Sequence, residues 1–70
     1  MTPEEIRDWP DSEIEVRIRE LTEERFKLRF QEAMMELDDP SLPRKVRRDL
    51  ARLHTVRRER QLAAAESAGS

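Results

Sequence analysis

The chain is 70 residues long, 43% of them charged and 36% apolar, with a formal net charge of −2, one histidine, one glycine and no cysteine. That length holds one domain at most, whose core alone supplies only roughly 3–5 kcal/mol unless a staple or a partner adds to it. No cysteine means no disulfide or thiolate metal site, one histidine means no zinc cluster, and the lack of a long apolar run argues against a membrane span or signal peptide.

Thr2-Pro3-Glu4-Glu5 reads as a helix start, with a hydroxyl cap, proline in the first turn and acids at the positive end of the helix dipole. This helix, over about residues 3–8, is short because Pro10 disfavours helical geometry at Trp9. Asp11 or Ser12 caps the next one, Ser12 and Glu15 having capping-box spacing. From there to about Leu37 no proline or glycine intervenes, so a helix over about 12–37, roughly 39 Å long, is predicted. Asp38-Asp39-Pro40-Ser41-Leu42-Pro43 is the internal breaker cluster. A third helix starts within it, capped by Asp39 or Ser41, with Pro43 tolerated in the first turn, and runs over about 41–62. Residues 63–70 are small and polar and read as a flexible tail. The expected fold is all-α, a short helical turn followed by a long antiparallel two-helix hairpin, with one domain over residues 1–62.

On the long helix Ile14, Ile18, Leu21, Leu28 and Met35 fall on one face, interrupted by Arg25 and Glu32. Phe26, Phe30, Ala33 and Leu37 make a second stripe almost opposite. The third helix has one clear stripe, Leu42, Val46, Leu50 and Leu53, with Val56 at its edge. A two-helix hairpin covers one apolar face of its long helix and not two, which marks Phe26, Phe30 and Leu37 as candidate protein-partner residues. In the blander alternative the first turn, carrying Ile6 and Trp9, folds back over part of a face near the start of the long helix. Phe30 and Leu37 lie too far along for that cover to reach.

The small net charge hides a polarity along the chain. Residues 1–43 carry six Lys/Arg against thirteen Asp/Glu, and residues 44–62 carry eight against two. Arg44, Arg48 and Arg52 share a ridge of the third helix with Thr55, flanked by Lys45 on one side and by Arg47 and Arg58 on the other. Like charges four residues apart repel by about 0.2–0.5 kcal/mol per pair, so such crowding makes sense where an external anion compensates it. Arginine supplies a planar fork suited to phosphate oxygens. The competing reading is a solvated face paired to Glu20, Glu23 and Glu24 of the long helix. With no zinc-finger spacing, helix-turn-helix glycine or strand-borne aromatic pair, shape and phosphate recognition of structured RNA is the form left open.

Arg25-Phe26-Lys27-Leu28-Arg29-Phe30-Gln31 and Val46-Arg47-Arg48-Asp49-Leu50-Ala51-Arg52-Leu53-His54-Thr55-Val56 resemble, in order and spacing, the two signature blocks of the bacterial large-subunit ribosomal protein twenty-nine family. Glu5-Ile6-Arg7 and the acidic lead-in from Glu13 to Glu24 also match that layout, so the likeness spans about residues 4–61. The resemblance implies a helical hairpin bound to large-subunit rRNA at the rim of the polypeptide exit tunnel. It also implies ribosomal protein twenty-three as a neighbour, at a place where targeting and chaperone factors dock. By motif position it makes Lys27, Arg29, Gln31, Arg47, Arg48, Arg52 and Thr55 RNA-facing, and the ridge neighbours Arg44, Lys45 and Arg58 complete the candidate RNA-binding set. The chain departs from the family where Met34-Met35 stand in place of a small residue and glycine, which predicts that the long helix continues with less bending. His54 likewise stands where a lysine is usual.

No catalytic constellation is visible. His54 has no Ser, Cys or paired carboxylate at dyad spacing, and a phosphate or water contact suits it better. Asp38-Asp39 before Pro40 reads as turn and cap chemistry rather than a metal pair. Trp9 reads as an anchor for the short helix, and Met34 and Met35 as plain packing residues. The expectation is a non-enzymatic structural RNA-binding protein of the large ribosomal subunit, cytoplasmic, with no metal, cofactor, membrane contact or small-molecule substrate. The alternative is a helical-hairpin adaptor that binds only protein through Phe26, Phe30 and Leu37.

Overall fold

A computed structural model describes residues 1–69. Among them are three helices and no strand: α1 (Pro3–Arg7), α2 (Asp11–Ala33) and α3 (Leu42–Gly69). α2 and α3 pack as an antiparallel hairpin, α1 lies against α3 at the end away from the interhelical turn, and the whole measures 53 × 19 × 16 Å. The expected all-α hairpin with a leading helical turn is the observed architecture.

The helix starts follow local chemistry. Thr2 is extended, and its hydroxyl oxygen accepts the Glu5 amide at 3.3 Å, with Pro3 in the first turn. α2 begins without the capping box, because Pro10 is the N-cap and its carbonyl accepts the amides of Glu13 and Ile14 at 3.0 and 3.2 Å. Glu15, the other half of that box, turns instead to Arg57 on α3. α3 begins at Leu42 within the breaker cluster, the Ser41 carbonyl accepting the Lys45 amide at 3.1 Å. Pro43 falls in the first turn, where an amide would have no intrahelical acceptor.

The far end of α2 departs from expectation. The helix stops at Ala33, short of Leu37, and does not continue through Met34-Met35. Met35 takes a left-handed φ of 58°, its amide donates to the Glu32 carbonyl at 3.1 Å, and the Glu36 amide donates to the Gln31 carbonyl at 2.9 Å. This bond pair is a Schellman motif, whose left-handed position ordinarily takes glycine because a side chain there crowds the backbone. The bend therefore persists without the residue that makes it comfortable. α3 also runs on as helix past residue 62 to Gly69, since residues 63–65 are alanines, the strongest helix formers, and no proline intervenes.

One continuous core holds the three helices. Ile14, Ile18 and Leu28 of α2 meet Val46, Leu50, Leu53 and Val56 of α3, and Ile6 of α1 closes the end, all buried. Each such side chain contributes about 1.5–3 kcal/mol on leaving water. Trp9, Leu21, Leu37 and Leu42 pack at the margins. α1 thus covers α3 and the interhelical seam, leaving the outer face of α2 bare. Arg25, which breaks the α2 stripe, stays exposed.

Candidate nucleic-acid interface

Five arginines are engaged inside the molecule, in the half nearest α1. Arg60 binds Asp11 at 2.7 Å through Nη1 and donates through Nη2 to the carbonyls of Arg7 and Ile6 at 2.9 and 3.4 Å. It places a cation at the negative end of α1 and joins three helices at once. Arg57 reaches Glu15 at 3.3 Å, and Arg7 reaches Glu59 at 3.4 Å. Arg17 pairs with Glu13 at 3.0 Å and lies over the Trp9 ring, 5.6 Å from its centroid. Trp9 accordingly serves as an anchor. Arg52, expected to face RNA, donates to the Met1 carbonyl at 2.6 Å and lies 4.0 Å from Asp49, which ties it to the amino-terminal segment.

The remaining candidates are differently placed. Among the described residues, Arg25, Lys27, Arg29, Arg44, Arg47, Arg48 and Arg58 form no ion pair or side-chain hydrogen bond within the chain. Glu20, Glu23 and Glu24 do not take them up, Glu20 turning to Arg17 at 3.8 Å. Arg25 and Arg29 of α2 and Arg44 and Arg47 of α3 line one cleft of about 310 Å³ at the turn end, together with Glu32, Pro40 and Pro43. Each pair spans about one helical turn, and the antiparallel register sets the two pairs beside each other. Taken within its own helix, Arg25 is only a break in the apolar seam. The signal that finds it is its place one turn before Arg29, on the side of α2 that borders the basic helix.

Arg48 and Thr55 lie exposed on α3, the Thr55 hydroxyl donating to the Ala51 carbonyl at 2.8 Å. His54 and Arg58 border a second cleft with Arg57, Gln61 and Leu62. Lys27 and Gln31 are elsewhere, in a groove shared with Glu20, Glu23, Glu24, Leu28 and Leu42. The structure therefore separates Arg29 from its motif neighbours, since a phosphate beside Lys27 would also meet three carboxylates. Lys45 lies exposed in the first turn of α3. The Asp39 carboxyl is held below its ordinary value chiefly by the Ser41 hydroxyl at 2.6 Å and the Ser41 amide at 2.9 Å, with Lys45 adding a smaller pull.

The apolar face of α2 is narrower than its sequence pattern. Phe26 is 76% and Phe30 64% exposed, and Met34 continues the patch. Leu37 does not belong to it, because beyond the end of α2 it turns back to pack on the core. Met35 is 93% and Met34 53% exposed, so neither methionine is buried in the core. Among the described residues no group of His, Asp and Glu could hold a metal ion, and no helix is long and apolar enough to cross a membrane.

Residues 4–60 match the family model described as Ribosomal L29 protein. The chain is 55% identical over 64 residues to the large ribosomal subunit protein uL29 of Gemmatimonas aurantiaca, spanning 91% of this chain and 96% of that protein. It is 48% identical over 64 residues to the uL29 of Geobacillus stearothermophilus, spanning 91% and 97%. To that of Carboxydothermus hydrogenoformans it is 46% identical over 63 residues, spanning 90% and 91%.

Proposed function

Since the chain belongs to the ribosomal L29 protein family, and is thereby a structural constituent of the large ribosomal subunit and not an enzyme, we propose that it binds large-subunit rRNA through the basic side of its hairpin. The observation that carries this reading is the set of arginines without internal partners, four of them around one cleft. Guanidinium forks there neutralise backbone phosphates and release their counterions, a contribution that depends on salt and not on base sequence. Arg48 and Arg58 extend the contact along α3, and the cleft at the turn is its centre. Arg52 acts as a fold residue in this scheme, and Lys27 and Gln31 stand outside the contact.

The proposed location is the rim of the polypeptide exit tunnel, next to ribosomal protein twenty-three and near docking sites for targeting and chaperone factors. Support comes from the implied family layout and from the exposed Phe26, Phe30 and Met34, an apolar patch of the kind that a neighbouring protein covers. A protein-only adaptor would use the same patch but leaves the arginine cleft without a purpose. The test is a salt titration of binding to large-subunit rRNA. Replacing Arg29 and Arg47 by Gln should weaken binding and reduce the log–log salt slope by roughly 1.5, at 0.7–0.9 per phosphate contact. Lys27→Gln should leave the slope unchanged, and a loss there equal to that of the double variant would misplace the interface.

A further inference from the structure

Building on the proposed phosphate contact, we infer that the turn end of the hairpin is locked by the anion it binds, so that the cleft lined by Arg25, Arg29, Arg44 and Arg47 supplies order as well as affinity. The two ends differ in what ties the helices together. Near α1, cross-helix bonds run from Arg57 to Glu15, from Arg60 to Asp11 and to the carbonyls of α1, and from Arg7 to Glu59. Among the described residues no ion pair joins α2 to α3 on the turn side of the Glu15–Arg57 pair. In place of pairs, the turn end holds four guanidinium groups around a single cleft with one carboxylate, Glu32, on its wall. Like charges brought together by folding oppose it. The helix end beside them closes through a left-handed Met35, a further source of strain.

A multivalent anion in the cleft reverses the sign of that interaction, because each guanidinium gains a charge-assisted partner that the unfolded chain does not offer in the same geometry. Binding the ordered form alone stabilises it in proportion to ligand occupancy. Phosphate oxygens are the shared chemistry, and they can come from the RNA backbone or from a free ion.

Amide hydrogen exchange on the whole chain separates these statements, with inorganic pyrophosphate as the probe and sodium chloride at matched ionic strength as the control. At pyrophosphate ten times its Kd, protection at Leu28 and Val46 should rise about tenfold, while Ile14, Leu53 and Val56 change little. The double variant R29Q/R47Q should start with equal or higher protection at Leu28 and Val46, since repulsion is relieved, and should no longer respond to pyrophosphate. A residue needed only for structure would lower protection when replaced. A uniform rise at both ends, or no rise, overturns the inference. An rRNA fragment serves as the second arm. If it binds with salt dependence but without a differential change, the anion lock fails for RNA and the proposed function stands; if it does not bind while pyrophosphate still protects Leu28 and Val46, the proposed function falls and the lock stands for a free anion.

Discussion

At the α1 end of the hairpin Arg7, Arg17, Arg57 and Arg60 each meet a carboxylate of the same chain, whereas at the turn end Arg25, Arg29, Arg44 and Arg47 share a cleft with a single acid. The core follows the same gradient. Ile6, Ile14, Leu53 and Val56, the most deeply buried side chains, gather where α1 closes the hairpin. Toward the turn the core narrows to Leu28 and Val46, with Leu37 and Leu42 at its margin. One end thus carries its own stability, and the other keeps its charges available. Under the proposed function, the chain divides folding and phosphate binding between the two ends of its hairpin.

Truncation of the core gives the largest test of that division. Leu53→Ala removes a fully buried side chain from the junction of all three helices and should cost about 4–5 kcal/mol, the upper part of the range for such truncations. Leu28→Ala, at a thinner part of the core, should cost about 2–3 kcal/mol. Since a core of this size supplies only roughly 3–5 kcal/mol, the first variant should sit at its unfolding transition even without urea and the second should keep a folded baseline. Equal losses would erase the distinction between the ends.

A smaller effect, of opposite sign, is expected at the turn. Met35 holds a left-handed φ of 58° that a glycine adopts without steric cost. Met35→Gly should stabilise the chain by about 0.5–1 kcal/mol, the relief exceeding the extra entropy of glycine in the unfolded state. Met35 is almost wholly exposed, so little packing is lost. The gain should appear as a higher urea midpoint at unchanged slope. A lower midpoint would mean that the Met35 side chain contributes to the turn in some way its exposure does not suggest.

Met35 also shows where the sequence stops being legible. The breaker signal at 38–43, the proline-limited first helix and the apolar stripe of α3 were all readable, because each depends on residues close in sequence. The end of α2 was not, because an unbroken helical pattern through Met34 and Met35 conceals a backbone reversal enforced by the hairpin. Leu37 fell with it, from an outer stripe to the core margin. The candidate site was readable as a ridge of basic residues on one helix, but its composition depends on the neighbouring helix. Register brings Arg25 into the cleft, and the amino-terminal segment withdraws Arg52 from the basic ridge of α3. Arginine counts are visible in one dimension, whereas their partners are settled in three.

The smallest predicted effect concerns the one internal charge device of the turn. Asp39 accepts from the hydroxyl and amide of Ser41, and its carboxyl titrates below the ordinary value of 3.8. Folding therefore favours the ionised form, so this contribution is fully present above about pH 5 and is lost as the pH falls through 3.8 toward the lower folded value. Asp39→Asn keeps an oxygen for the Ser41 amide but has nothing to titrate. The stability difference between the two proteins should be constant near neutrality and shrink as the solution is acidified from pH 5 to pH 3. The carboxyl carbon resonance of Asp39, followed by NMR, should place its midpoint below that of the unfolded chain. A midpoint at or above the ordinary value would remove the titratable lock assigned to this end, and leave the proposed anion as the electrostatic tie there.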